Sequence, residues 1–279
     1  MKTIGFVDYY ISEWHANNYP QWIKDVCSES GRNFEVKYVW AEKYISPVDG
    51  RNTDEWCAEY GCEKCETLAE LCQKCDYIMV LSPSNPEKHL KYAEEVLKYG
   101  KNTYIDKTFA PDFETAKMIF DIAQKYGTRF FSTSALRYAD ELEDLKSENA
   151  IILGSGGNIE EYIIHQIEMA VTVTGEKPMS LKLEQQGKQY ICHIAFENKK
   201  RAVLIYGEQI PYAICAEDEN GNSVYRTIES SFFKNMISDI LRFFENGEYS
   251  FDIAQTLDVM KIRTGVIDAL GKNEEWITL

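Results

Sequence analysis

The stretch from Asp76 to Thr108, DYIMVLSPSNPEKHLKYAEEVLKYGKNTYIDKT, limits the possible folds more than any other part of the chain. Tyr77-Ile78-Met79-Val80-Leu81 is a short unbroken apolar run, the pattern of a parallel strand buried on both faces. Ser82-Pro83-Ser84 breaks it. Asn85 is placed to cap a new helix, with Pro86 in the first turn, where a missing amide hydrogen costs nothing. Leu90, Ala93 and Leu97 recur at helical spacing, and Gly100 supplies a stop. A second strand, residues 102–106, then delivers Asp106 and Lys107 at its carboxyl end. Ligands of open α/β sheets bind along that edge. Lys107 is therefore the first candidate for chemistry, against the plainer reading of a lysine reaching solvent from a strand end.

The same alternation fills the first half of the chain. Residues 3–8, 34–41, 77–81, 102–106 and 128–135 read as strands with helical patterns between most of them, which predicts a doubly wound parallel sheet. The first crossover helix runs over 14–28, with a break expected near Pro20. A polar loop follows over 42–54, then short helices over 54–60 and 67–75. Asp112 caps a helix over 113–126 that Gly127 ends, with Ala116, Ile119 and Ala123 on one face.

Beyond Arg137 the texture changes. An acidic helical pattern covers 139–149, and Gly154-Ser155-Gly156-Gly157 precedes a helix over 159–174. Strand-like runs at 180–186, 189–197, 202–207, 213–218 and 223–228 succeed one another without helices, with a tight hairpin turn at Asn220-Gly221. Such a succession indicates an antiparallel sheet. Helices over 232–246 and 253–270 close the chain, the second reaching residues 275–277. The expected architecture is α/β: a Rossmann-like domain over 1–137, then an α/β domain with an open, mainly antiparallel sheet over 138–279.

Charge and composition exclude some partners. Thirty lysines and arginines against 45 aspartates and glutamates leave a formal charge of −15, which repels phosphate backbones and anionic lipid. No apolar run approaches the roughly 20 residues that span a bilayer, and the first residues read as a strand rather than a signal peptide. A cytoplasmic protein without nucleic-acid or membrane partners is expected. Its eight cysteines are then mostly thiols. Cys62-x-x-Cys65 followed by Cys72-x-x-Cys75 invites a zinc reading. The second pair sits in a helical pattern close behind the first, however, so small buried thiols are the plainer reading and no metal is expected.

Several residues together resemble the glucose–fructose oxidoreductase/inositol dehydrogenase/MocA family. Pro83 through His89, Gly100-Lys101 and Asp106-Lys107-Thr108 resemble its Glu-Lys-Pro region. Gly157-x-x-x-Glu161-x-x-x-His165 is similar to its Gly-x-x-x-Asp-x-x-x-His segment, and Arg137 to the arginine after its sixth strand. The resemblance implies NAD(P)-dependent oxidation or reduction at a hydroxyl carbon of a sugar, inositol or related small molecule, in a homodimer or homotetramer. Lys107 takes the catalytic lysine position, His165 the general acid/base position, and Glu161 replaces an aspartate one helical turn before it. Arg137, with these three, is a substrate-binding candidate, and Lys107 and His165 are expected to converge on the reacting carbon.

The chemistry is consistent. Hydride leaves a carbinol carbon only as the hydroxyl proton is removed; histidine suits that task, and a neighbouring ammonium stabilises the alkoxide.

The cofactor, NAD or NADP, is expected along Asp8, Tyr9, Tyr10, Ser12, Glu42, Ser82, Pro83, Ser84, His89, Asp106 and Lys107. Here the chain departs from the family. A Gly-x-Gly-x-x-Gly turn normally lets backbone approach the pyrophosphate. This turn instead reads Asp8-Tyr9-Tyr10-Ile11-Ser12-Glu13, placing acidic charge and bulk where phosphates would lie. Glu42 is the nearest candidate for the ribose-binding acid. His15 and His89 are expected to be structural, bonding backbone. Two other readings follow: a non-catalytic ligand-binding or regulatory member without the dinucleotide site, and a lyase or hydrolase with tightly held NAD.

Overall fold

The structure, a computed structural model, describes residues 1–217, 220–272 and 275–279. In chain order its elements are β1 (Lys2–Asp8), α1 (Trp14–Ser30), β2 (Phe34–Ala41), α2 (Thr53–Tyr60), β3 (Glu63–Lys64), α3 (Leu68–Lys74), β4 (Tyr77–Val80), α4 (His89–Val96), β5 (Thr103–Ile105), α5 (Phe113–Tyr126) and β6 (Phe130–Phe131). There follow β7 (Asn149–Gly154), α6 (Ile159–Thr174), β8 (Pro178–Gln186), β9 (Gln189–Phe196), β10 (Arg201–Tyr206), β11 (Ala213–Glu217), β12 (Ser223–Thr227), α7 (Phe232–Asn246), α8 (Ala254–Ala269) and β13 (Ile277–Thr278). Two compact units result: Met1–Thr133 with Met236–Ser250, and Ser134–Asn235 with Phe251–Leu279.

The first unit is the expected parallel sheet, in the order β3-β2-β1-β4-β5-β6. Its strands are short and apolar because helices cover them; Ile4, Phe6, Val7, Ile78, Met79 and Val80 are fully buried. Strand order reverses between β1 and β4, so their carboxyl ends open the crevice in which such sheets bind ligands. Gly5 fits that packing: a Cβ there would lie 2.7 Å from Leu71 Cδ2 and 2.9 Å from Cys75 Sγ. The first unit also takes in the Met236–Asn246 portion of α7. Phe244 stacks on Tyr77 at 4.9 Å, and Phe243 meets Phe131 edge-on at 5.0 Å.

Local corrections have local causes. α1 continues through Pro20 to Ser30 without a break, and Gly31 in the left-handed region ends it. Asn85 makes no capping bond; its amide donates to Glu87, a 3-10 turn occupies Pro86–Lys88, and α4 begins only at His89. The 128–135 strand shrinks to Phe130–Phe131. Cys57, Cys65, Cys72 and Cys75 are buried free thiols and Cys62 is partly so. Burial pushes these thiols up, to about 12 for Cys57 and Cys72 and about 11 for Cys62, Cys65 and Cys75. Among the described residues no group of three or more His, Cys, Asp or Glu could hold a metal ion, and no helix is long and apolar enough to cross a membrane.

The second unit carries a seven-stranded sheet, β12-β11-β7-β10-β9-β8-β13, in which only β7 and β10 run parallel. α6 and α8 pack against it, and α6 has the expected bounds, capped by Asn158 and ended by Gly175. The acidic segment 139–149 is not a helix. It holds a 3-10 turn at Asp140–Leu142 and then enters β7. The tail forms β13 on the edge of β8 rather than extending α8. Asp218, which ends one expected strand, lies outside the described residues.

Candidate functional site

Three carboxylates meet below the crevice of the first unit. β1 ends on Asp8, the turn carries Glu13, and β5 runs into Asp106; all three are buried. Asp106 is the best partnered. It accepts from His15 Nδ1 at 2.5 Å, from the hydroxyls of Tyr104 at 3.1 Å and Tyr19 at 3.2 Å, and from the Lys107 amide at 2.8 Å. Burial pushes its carboxyl up, but the His15 imidazole and the Lys107 ammonium outweigh that and hold it below the usual range. His15 thus bonds a carboxylate and a tyrosine, where backbone was expected.

Asp8 behaves oppositely. Burial raises it well above the usual range, with Glu13 next in effect and Asp106 adding; the Ser82 hydroxyl and Tyr9 amide only partly offset this. Its Oδ1 accepts the Tyr9 amide at 2.6 Å and the Ser82 hydroxyl at 3.0 Å. Its Oδ2 is buried with no hydrogen-bond partner among the described residues. Ser82 reaches Asp8 from a backbone with φ 66°, a left-handed conformation that costs a non-glycine residue about 1–2 kcal/mol.

Glu13 caps α1. Oε2 accepts the His15 amide at 2.8 Å and Oε1 the Ala16 amide at 2.5 Å. Burial raises its pKa; His15 and the two amides pull part of the way back. A loop folds onto the same turn: the Ser12 hydroxyl donates to Asp49 at 2.7 Å, and the Ser46 hydroxyl to the Ser12 carbonyl at 2.7 Å. Helix N-termini of Rossmann folds receive the dinucleotide's pyrophosphate on free amides. Here a carboxylate holds those amides, so the residues present do not fit a pyrophosphate in that seat.

Other cofactor candidates lie at the same sheet edge, several of them with internal partners. Glu42, just past β2, accepts from Lys91 at 2.8 Å, Tyr92 at 2.9 Å and Lys88 at 3.2 Å. Partial burial raises it, but these three bonds prevail and lower it to about 2. Tyr9 lies under the ammonium groups of Lys88 at 4.2 Å and Lys43 at 4.6 Å, with the Tyr10 ring 5.8 Å away. Both ring nitrogens of His89 lie on backbone carbonyls, of Leu81 at 2.5 Å and Phe109 at 2.9 Å. Pro83 is buried and Ser84 exposed in the turn after β4. Lys107, at the carboxyl end of β5, is only 7% exposed.

The remaining candidates belong to the second unit. The Ser134 hydroxyl lies 2.7 Å from His165 Nδ1, and the rings of Tyr162 and Tyr212 are each 6.0 Å from the imidazole. Gln166 anchors this part of α6: its Nε2 donates to the carbonyls of Ile152 on β7 and Ile205 on β10. Glu161 sits one turn before His165, its amide bonded to the Asn158 cap at 2.8 Å. Gly156 is needed because a Cβ there would come within 2.2 Å of Tyr162 Cβ. Arg137 is held by the buried Glu168 carboxylate and Gln255, each at 2.7 Å, and lies 4.1 Å above the Phe251 ring.

Sequence reasoning did not place Glu13, Ser134, Gln166 or Tyr212 among the site residues. Only Glu13 had a signal, as an acid in the turn where the phosphates of a dinucleotide would lie. Among the described residues, a cavity of about 480 Å³ in the second unit lies beside Asn158, Tyr190 and Tyr206, at the start of α6, and one of about 690 Å³ in the first unit beside Lys2, Arg32 and Asp76. Neither includes Lys107 or His165.

This architecture defines a Rossmann-type α/β protein. Residues 42–134 match a family model, that of the glucose–fructose oxidoreductase/inositol dehydrogenase/MocA group, described as an oxidoreductase family with an NAD-binding Rossmann fold. Over that segment, which contains Asp106 and Lys107, the resemblance read from the sequence holds, and the description carries NAD as the cofactor. No curated protein sequence matches the chain. Among solved structures, a dehydrogenase from Clostridium difficile superposes with a TM-score of 0.72 at 13% identity, covering 96% of this chain and 99% of that one. A UDP-N-acetylglucosamine 3-dehydrogenase from Acidithiobacillus ferrooxidans gives 0.73 at 14%, covering 96% and 97%. A biliverdin reductase from Synechocystis, solved with biliverdin and NADP+, gives 0.68 at 13%, covering 96% and 98%. At these identities the likeness is one of fold.

Proposed function

We propose that the chain is a cytoplasmic NAD(P)-dependent oxidoreductase acting at a hydroxyl carbon of a sugar, inositol or related polyhydroxylated small molecule. The family match over residues 42–134, with Lys107 at the carboxyl end of β5, is the observation that carries this reading. His165, oriented through the Ser134 hydroxyl, removes the substrate hydroxyl proton. Lys107 stabilises the resulting oxyanion through its ammonium. Glu161 binds a neighbouring substrate hydroxyl from the same face of α6, four residues from His165. An open face of the second sheet exposes Ile151 and part of Val203 and Ile205, which supports assembly into a homodimer or homotetramer.

One observation favours a second reading, a ligand-binding member without dinucleotide chemistry: Glu13 already holds the α1 amides. Dehydrogenase assays over a panel of inositols and sugars, with either nicotinamide cofactor, separate the two. Lys107→Ala is expected to lower turnover by about 100-fold or more in a variant that still folds by circular dichroism. Retained activity in that variant removes Lys107 from the mechanism.

A further inference from the structure

The acid at position 13 does more than end a turn. Its backbone is extended, with φ −142° and ψ 170°, so its carbonyl accepts the Asn17 amide while both carboxyl oxygens fold back onto the His15 and Ala16 amides. One residue thereby satisfies three of the first amides of α1 from a position only 7% exposed. The other end of the turn is closed as well. The Tyr9 amide is shared between Asp8 and the Ser82 hydroxyl, and the Glu13 amide donates to the Ile11 carbonyl at 2.9 Å. The helix start has the form of an anion site with the anion covalently supplied.

We propose that the Glu13 carboxylate is an intramolecular occupant of the pyrophosphate seat, and that it sets the chain's affinity for dinucleotides by competing for the α1 amides. Two anions cannot share those donors: a phosphate oxygen on the His15 or Ala16 amide would sit where Glu13 Oε2 or Oε1 now lies, with Asp8 and Asp106 close behind. Repulsion between like charges in so buried a place is weakly screened. A dinucleotide therefore gains the α1 start only as Glu13 leaves it, and the binding energy is reduced by whatever that displacement costs. Substituting Glu13 opens the seat without touching Lys107 or His165.

The inference draws on the oxidoreductase reading for the dinucleotide but not for the anion, so two probes are needed. Binding of NADH, NADPH and inorganic pyrophosphate is measured by calorimetry for the wild type, Glu13→Ser and Glu13→Gln. Serine keeps a capping oxygen and removes charge and bulk; glutamine keeps the shape and removes charge alone. Glu13→Ser is expected to bind pyrophosphate, and at least one dinucleotide, about tenfold or more tighter than the wild type, with a smaller gain for Glu13→Gln.

Wild-type dinucleotide binding that Glu13→Ser does not improve overturns the inference and leaves the oxidoreductase reading standing. A variant that gains pyrophosphate, where neither it nor the wild type binds a dinucleotide, keeps Glu13 as the occupant of an anion seat but overturns its control of dinucleotide affinity and removes the oxidoreductase reading. A folded Glu13→Ser that gains neither probe overturns the inference. Should the serine variant not fold, a gain or its absence in Glu13→Gln decides in the same way.

Discussion

Two helices in this protein begin in opposite ways. α1 starts under a buried glutamate whose two oxygens take two amides, beside Asp8 and Asp106. α6 starts under an exposed asparagine, a neutral and favoured cap, whose side-chain oxygen takes the Glu161 amide alone. Both ends present the same unpaired amides and the same dipole. What differs is the cap. A helix start is open to an anionic ligand only to the degree that its cap leaves amides free, and α1 has given them to a carboxylate whose burial carries a cost of its own.

The largest expected effect comes from breaking the cluster around the α1 start. Asp106→Ala removes the acceptor shared by His15, Tyr19 and Tyr104 and is expected to cost about 3–5 kcal/mol in urea unfolding. A loss below about 1 kcal/mol would mean that this cluster does not hold the helix start.

Next is a pH effect at Asp8. Its folded pKa is raised, so its contribution to stability is complete below the ordinary carboxylate value and is lost as pH rises through the folded value. Asp8→Asn should therefore be more stable than the wild type at neutral pH, by about 1–3 kcal/mol. The two melting curves should converge as pH falls towards about 4. Asp106, lowered in the fold, runs the other way: its contribution is present above the ordinary value and lost in acid. Curves for Asp8→Asn and wild type that stay parallel across this range would remove the contrast between the two carboxylates.

The smallest effect is at the other helix. Asn158→Ala should cost about 1 kcal/mol, independent of pH because an amide cap does not titrate; a pH-dependent loss in thermal melts would show that the α6 start also depends on charge.

The sequence showed the layers where periodicity and caps agreed. Asp112 and Gly127 bracket α5 as read, because each cap is a local bond, and α6 keeps its expected bounds between Asn158 and Gly175, caps that the sequence reading did not name. Segment 139–149 misled because acidic residues of good helix propensity lie where tertiary contacts decide. Asp144 and Glu141 are drawn instead to Arg226 and Ser230. Around the candidate site, Lys107 is legible from its place at a strand end. The meeting of Asp8, Glu13 and Asp106 is not, because it depends on strand order and on rotamers that no spacing encodes. His15 shows the same limit: its burial was foreseeable, its partner was not.

α7 has a consequence for how the protein is made. The parallel sheet is written within the first 133 residues, yet Phe243 and Phe244, which cover Tyr77 and Phe131, arrive about a hundred residues later. A nascent chain leaving the ribosome must keep that aromatic patch bare for on the order of ten seconds at ordinary elongation rates. Its amino-terminal half cannot finish before the rest has been synthesised, which makes the interval before residue 250 emerges the time when a chaperone has most to bind.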